Sequence, residues 1–222
     1  MNKIQYSIYK QETGSAGGKA KNDCFDILYD CGFNPSYNPS VNRSIRILKQ
    51  FLSIKGLRKK DVLLVQYPTV SKQLMPVLLK KLKKIDISIA LIHDIPSLQG
   101  MKGEIAREID ELNHFNYLIV HNVYMLNQLK NYGCVSKMIS LEIFDYLHDE
   151  FHDMIEHPFD GTICVAGNLD KSKYLLNIDK LTGCKFNLYG IKKIVDFTHL
   201  KNAEYKGLLA SDIIPYFLDG DY

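Results

Sequence analysis

The sequence predicts an α/β fold built on a parallel sheet, and three observations carry that expectation. Apolar runs of strand length alternate along the chain with segments of helical periodicity. The strand runs, Val62-Leu63-Leu64-Val65, Ile87-Ser88-Ile89-Ala90-Leu91-Ile92 and Tyr117-Leu118-Ile119-Val120, are nearly continuous in apolar residues instead of alternating with polar ones. Strands of that kind are buried on both faces, as in sheets whose crossover helices cover both sides. Finally, glycines stand where the helical segments should stop, at Gly32, Gly56 and Gly133.

Taken in order, Ile4 to Tyr9 reads as a first strand, followed by a glycine-rich turn. Cys24, Phe25, Ile27, Leu28 and Cys31 recur at helical spacing up to Gly32. A second helix carries Ile45, Leu48, Phe51 and Leu52. After the strand at 62–65, Ser71 is placed to cap a helix bearing Leu74, Met75, Leu78, Leu79 and Leu82. The strand at 87–92 leads to a helix around Ile105, Ile109 and Leu112. After the strand at 117–120, Asn122 is placed to cap a helix through Leu126 and Leu129, and Met138 to Ile143 reads as a closing strand.

From Phe144 to Gly161 the pattern gives way to an acidic, histidine-rich stretch that reads as an exposed connection, since its histidines lack metal-ligand spacing. Alternation then restarts with a strand at 162–166, a helix near 172–178, a strand at 185–189 and a helix at 211–218. The expected organisation is a domain over 1–150 and a second, incomplete one over 160–222. Two or three β-α elements are too few to complete a sheet domain of ordinary size, so a fragment or a natural short form is expected.

The 222 residues are 46% hydrophobic and 24% charged, the balance of a globular protein. Apolar stretches of about six residues fall far short of the roughly 20 that span a bilayer. The start, Met1-Asn2-Lys3-Ile4-Gln5-Tyr6, lacks the apolar core of a signal peptide. A cytoplasmic location is expected, extending to peripheral contact with the inner face of the membrane. Five cysteines, Cys24, Cys31, Cys134, Cys164 and Cys184, contain no Cys-x-x-Cys pair, which argues against a disulfide framework or a zinc site. No metal site is expected.

Charge is divided unevenly. Residues 1–86 hold 16 Lys and Arg against 6 Asp and Glu, whereas residues 87–222 hold 12 against 19. A basic first half points to an anionic neighbour. The run Leu78-Leu79-Lys80-Lys81-Leu82-Lys83-Lys84-Ile85 reads as a core-facing helix with a solvated lysine face, and membrane docking is its alternative. No recognition helix or aromatic-interleaved basic strand accompanies the charge, which argues against nucleic acid as a partner.

Ligands of open parallel sheets bind beyond the carboxyl ends of the strands. There stand Thr13-Gly14-Ser15-Ala16-Gly17-Gly18-Lys19-Ala20-Lys21, Gln66-Tyr67-Pro68, His93-Asp94 and His121-Asn122. The first is not a P-loop, because Ala20 follows Lys19, and its glycine spacing does not fit a dinucleotide fingerprint. A His-Asp pair at a strand end suits a general base or a clamp on a sugar hydroxyl, against the plainer alternative of a turn cap. In the second half, Gly167-Asn168-Leu169-Asp170-Lys171-Ser172 and Tyr189-Gly190 combine small residues with lysine, as a phosphate site would.

Five segments in order, Gly17-Gly18-Lys19-Ala20-Lys21-Asn22-Asp23, Val65-Gln66-Tyr67-Pro68, Ile92-His93-Asp94-Ile95, Gly167-Asn168-Leu169-Asp170-Lys171-Ser172 and Leu188-Tyr189-Gly190, give the chain a resemblance. It resembles a bacterial glycosyltransferase family that includes β-1,6-galactofuranosyltransferases and glucosyltransferases of adhesin glycans. The resemblance implies a GT-B fold of two Rossmann-like domains, with the acceptor held mainly by the first and a UDP-sugar by the second. It places Gly167, Asn168, Lys171 and Tyr189 at the donor, Thr13, Lys19 and Tyr67 at the acceptor, and Asp94 with His93 at the reacting centre. The activity implied is transfer of galactofuranose or glucose from a UDP-sugar to a glycan, glycolipid or glycoprotein acceptor, with no cofactor beyond that donor. A homo-oligomer is among the expected partners. A non-catalytic, truncated transferase acting as a binding module is the second expectation, and an unrelated nucleotide-binding α/β protein the third.

Overall fold

The computed structural model describes residues 1–6, 16–36, 42–99, 104–142, 147 and 161–208. These divide into two compact units, one of 1–6 and 20–142, the other of 16–19, 147 and 161–208. The expected features at Tyr9, Thr13, most of the 144–161 stretch and the helix at 211–218 lie outside the described residues.

The first unit is a six-stranded, all-parallel sheet. Its strands are β1 (Lys3–Tyr6), β2 (Asn34–Pro35), β3 (Val62–Tyr67), β4 (Ile87–Ile92), β5 (Tyr117–Val120) and β6 (Lys137–Ser140), in the order β2-β1-β3-β4-β5-β6. Five helices connect them: α1 (Ala16–Asp30), α2 (Arg43–Gly56), α3 (Met75–Leu82), α4 (Ile105–Leu112) and α5 (Val123–Asn131). This is the Rossmann-like arrangement that continuous apolar strands anticipate. Every residue of β3 is buried.

Side chains alternate across a strand, so the sheet sorts its residues between two cores. Leu63, Val65, Tyr67, Ala90, Ile92, Leu118 and Val120 enter the larger one, with Ile54 of α2, Leu78 and Leu82 of α3, Ile109 and Leu112 of α4 and Leu129 of α5. Leu64 and Leu91 face the other way, against Cys24 and Leu28 of α1. All five cysteines are free thiols. Burial pushes the Cys24 thiol up to about 12, with the Asp23 carboxylate adding to the rise, so it stays protonated as a packing group.

Several local expectations hold. Asn122 caps α5, its side-chain oxygen accepting from the Met125 N–H at 2.9 Å. Gly32 and Gly133 take the left-handed conformation at helix ends, with φ of 84° and 90°. Met75, Leu78 and Leu82 are buried on α3, which is therefore a core-facing helix with lysines on its outer side.

Others are corrected. Ser71 does not cap α3 with its side chain: its carbonyl accepts from Leu74 and Met75, and the helix starts at Met75 beside Pro76. On α2 the inward residues are Ile47, Gln50, Phe51 and Ile54, while Ile45, Leu48 and Leu52 are exposed. Apolar residues on both sides of that helix made two faces fit the same periodicity. Asn34–Pro35 and Ala203–Gly207 form strands that apolar runs did not announce, because edge strands need no continuous burial.

The second unit is a parallel sheet of β7 (Thr162–Asn168), β8 (Lys185–Ile191) and β9 (Ala203–Gly207), in the order β7-β8-β9. The expected helix near 172–178 is a 3₁₀ segment over Lys173–Lys180, which sends Leu175 and Ile178 into a small core with Leu169, Phe186, Leu188, Phe197 and Leu200. Among the described residues no helix is long and apolar enough to cross a membrane.

Leu118 is fully buried in the middle of the larger core, whereas Val135 is 82% exposed. Leu118→Ala should lower the unfolding free energy of the first unit by about 2–5 kcal/mol, and Val135→Ala should change it by less than about 0.5 kcal/mol. Urea unfolding followed by circular dichroism measures both.

Candidate functional site

The sheet order places β1 between β2 and β3, so the direction of successive crossovers reverses there, the kind of switch point at whose carboxyl edge open parallel sheets bind ligands. Gln66 pairs in register with Leu91, and Tyr67 with Ile92. The ladder runs one residue further, because the His93 N–H donates to the Tyr67 carbonyl at 2.9 Å. His93 and Asp94 are thereby held at the carboxyl edge.

His93 is buried, with its Nε2 2.8 Å from Gln66 Oε1. The Gln66 amide nitrogen donates to the Lys21 carbonyl in α1 at 3.3 Å. A carbonyl can only accept, so this bond fixes which end of the amide is nitrogen and turns Oε1 toward the imidazole. His93 must then donate through Nε2, which makes Nδ1 the acceptor of the neutral ring. Burial pushes the imidazole down to about 4, with the Lys21 ammonium and His121 adding to the effect. His93 is therefore a neutral, fixed hydrogen-bonding group at neutral pH. Asp94 beside it is only half-buried, so its carboxylate is the group of the pair nearer to solvent. His121, at the end of the neighbouring β5, is half-buried too.

Tyr67 points the other way. It is buried, and its hydroxyl donates to Glu111 Oε2 of α4 at 2.9 Å, while Arg107 Nε lies 3.6 Å from the other carboxylate oxygen. Burial and the Glu111 carboxylate together push the phenol well above its ordinary range. Glu108, also buried, accepts from the Ser97 N–H in the segment after β4. Lys19 Nζ donates to the Leu147 carbonyl at 2.8 Å, and Thr13 lies outside the described residues. The three residues expected at the acceptor are thus an inward phenol, a lysine on a backbone carbonyl and a position without description.

In the second unit, Gly167 and Gly190 pair across the ends of β7 and β8, with φ of 143° and 136°. A Cβ on Gly190 would overlap the Gly167 carbonyl, so glycine is required at Gly190 by contact as well as by conformation. The Asn168 side chain accepts from the Asp170 N–H at 3.2 Å and closes the turn. Asp170 in turn accepts from the N–H groups of Lys193 at 3.0 Å, Ile194 at 2.9 Å and Val195 at 3.0 Å. Those backbone bonds, Ile194's first, hold its carboxyl below the usual range. Tyr205 donates its hydroxyl to the Gly190 carbonyl at 2.9 Å. Gly167, Asn168 and Lys171 therefore gather at one carboxyl edge, with Lys171 exposed, while Tyr189 is buried in β8 opposite Ala166. Among the described residues no group of three or more His, Cys, Asp and Glu side chains is disposed to hold a metal ion.

Residues 3–143, the span of the whole six-stranded sheet and its helices, match the family described as the glucosyltransferase 3-like, N-terminal domain. The chain belongs to that glycosyltransferase family. It is also 32% identical, over 201 residues and 86% of its length, to the β-1,6-galactofuranosyltransferase WbbI of Escherichia coli (strain K12). The chain spans 57% of that relative's length. The glycosyltransferase resemblance read from the five segments thus meets a family match that contains Gln66, His93 and Asp94.

Lys21, Gln66 and Asp170 stand in candidate segments of the sequence without their hydrogen-bonding roles being foreseen, and Glu111 stands in none. Gln66 gave a signal, as a polar residue closing an apolar strand. The pairings with Lys21 and Glu111 gave none, because each lies more than 40 positions from the residue it meets.

A neutral His93 opposes acid stability. An imidazole held at about 4 when folded, against 6.5 ordinarily, binds its proton only in the unfolded chain between those values. Its contribution is complete above about 6.5 and lost as pH falls toward about 4, amounting to roughly 3 kcal/mol. His93→Gln should flatten that part of the stability–pH curve, and urea midpoints across the window measure it.

Proposed function

We propose that this chain carries the acceptor-side domain and part of the donor-side domain of a GT-B glycosyltransferase, which moves a hexose from a UDP-sugar to a hydroxyl of a surface glycan. The observation that supports it above others is the family match over 3–143, which covers the sheet whose carboxyl edge holds His93 and Asp94. The name of the Escherichia coli relative supports galactofuranose as the transferred sugar, with glucose as the other candidate from the family description.

In this reaction the acceptor oxygen forms a bond to the anomeric carbon, the bond from that carbon to the diphosphate oxygen breaks, and UDP leaves with the electron pair. Where the configuration inverts, a base must take the acceptor's proton, and Asp94 is the residue for it: its side chain is only half-buried at the carboxyl edge of the sheet. His93 positions a sugar hydroxyl, since an imidazole titrating near 4 is a weak base but a fixed hydrogen-bonding partner. Charge on the departing UDP is offset in the second unit by Lys171 and by backbone at Gly167, where the missing side chain leaves open space for close approach. Asp170 stands in the same turn without opposing an anion strongly, because three backbone N–H groups occupy its oxygens.

Calorimetry of the chain with UDP should give a submillimolar Kd, weakened about tenfold or more by Lys171→Ala. Absence of measurable heat would overturn the donor assignment and favour a binding module. In a transfer assay, Asp94→Asn should lower kcat by a factor of about 10²–10⁴ with little change in donor KM. An unchanged kcat would remove Asp94 as the base.

A further inference from the structure

The helix α2 carries an apolar stripe that the fold leaves uncovered. Ile45, Leu48 and Leu52 are 47%, 57% and 58% exposed, although Ile47, Phe51 and Ile54 of the same helix serve the core. At 100° per residue the three exposed residues share an arc of about 60° facing away from that core. Lys55 flanks the arc on one side, and Lys49 and Arg46 flank it on the other. The Lys55 ammonium lies 5.4 Å from the Phe51 ring centroid, so its stem lies along the helix.

The surrounding sequence is strongly basic. Residues 42–85 contain twelve Lys and Arg and one acidic residue, Asp61. Asp61 is buried and accepts from the Arg58 N–H and from Asn2, so its charge is turned inward. The next carboxylate along the chain, Asp86, lies 3.9 Å from Lys59. The helix α3, with Lys80 and Lys81 in its last turn and Lys83 and Lys84 beyond it, packs beside α2, and Lys81 Nζ donates to the Lys55 carbonyl at 3.1 Å.

An apolar ridge bordered by lysines and arginines matches one chemistry closely: a bilayer surface with anionic headgroups, where the leucines enter the acyl boundary and the cations meet phosphate. A second copy of this chain would bring the same positive field against itself, at a cost in repulsion that the ridge alone does not offset. We infer that α2, with the lysines of α3 beside it, is a docking surface for anionic lipid membranes. The inference is independent of the sugar-transfer reaction and of Asp94 and Lys171, so failure of one leaves the other standing.

Co-sedimentation of the full chain with phosphatidylcholine vesicles, with and without one third phosphatidylglycerol, tests it. The chain should partition onto the anionic vesicles, leave them in molar salt, and bind neutral vesicles about tenfold or more weakly. The double variant Leu48→Gln, Leu52→Gln, at positions more than half exposed, should keep its circular dichroism and lose about tenfold or more of the partitioning. Equal binding to neutral vesicles, no binding to either, or a variant that binds like the parent would overturn the inference. So would a variant that turns an oligomer into a monomer with its vesicle partitioning unchanged, which would make the ridge a self-interface.

Discussion

The buried amide of Gln66 ties three parts of the first unit together by side-chain hydrogen bonds. Its nitrogen is bonded to the Lys21 carbonyl of α1, its oxygen faces the His93 ring beyond β4, and its backbone lies in β3. A fully buried amide with either end unpaired costs several times what a satisfied one contributes, so the three elements are held in one relative position. Gln5 repeats the device from β1, its nitrogen donating to the carbonyls of Phe25 at 3.1 Å and Phe33 at 2.9 Å. The helix α1, which receives the Gln66 bond at Lys21 and the Gln5 bond at Phe25, contains Gly17, Gly18 and Asn22, poor helix formers all, and depends correspondingly on tertiary contacts.

The two faces of the sheet consequently do different work. On the larger face, apolar side chains from α2 to α5 close the core, and the polar insertion of Tyr67 is matched to Glu111. On the α1 face the apolar cluster is small, and amides replace much of what packing would supply. Consecutive residues at one strand end therefore have opposite fates: Gln66 organises the carboxyl edge, while Tyr67 anchors α4. The neutral state of His93 follows from the same burial that the Gln66 bond enforces.

The second unit builds its carboxyl edge mainly from backbone. Asp170 gathers three N–H groups, Asn168 closes a turn, Tyr205 holds the Gly190 carbonyl, and two glycines let the strand ends come together. Such an edge presents few side chains to a ligand and suits a group recognised by its charge and shape. The first unit, by contrast, presents an imidazole and a carboxylate, groups suited to hydroxyls.

Strand positions, helix stops and the α/β class were legible because each depends on the order of apolar residues and on glycine's conformational freedom, both local properties. The family was legible too, through five short segments kept in one order. Which face a helix buries was legible only where one face was apolar: α4, with Ile109 and Leu112 inward, was read correctly, and α2, apolar on both sides, was not. The edge strands at 34–35 and 203–207 and the partners of Gln66, Tyr67 and Asp170 came from the tertiary structure alone. Register and long-range hydrogen bonding bring together residues tens of positions apart, and nothing in the order of either segment specifies the other. By itself, then, the sequence determined the alternating fold and the polar residues that close its apolar strands. The folded chain decided that His93 is a neutral, oriented ring, that Tyr67 faces the core, and that an apolar ridge on α2 remains uncovered, because burial and pairing are properties of the packed molecule.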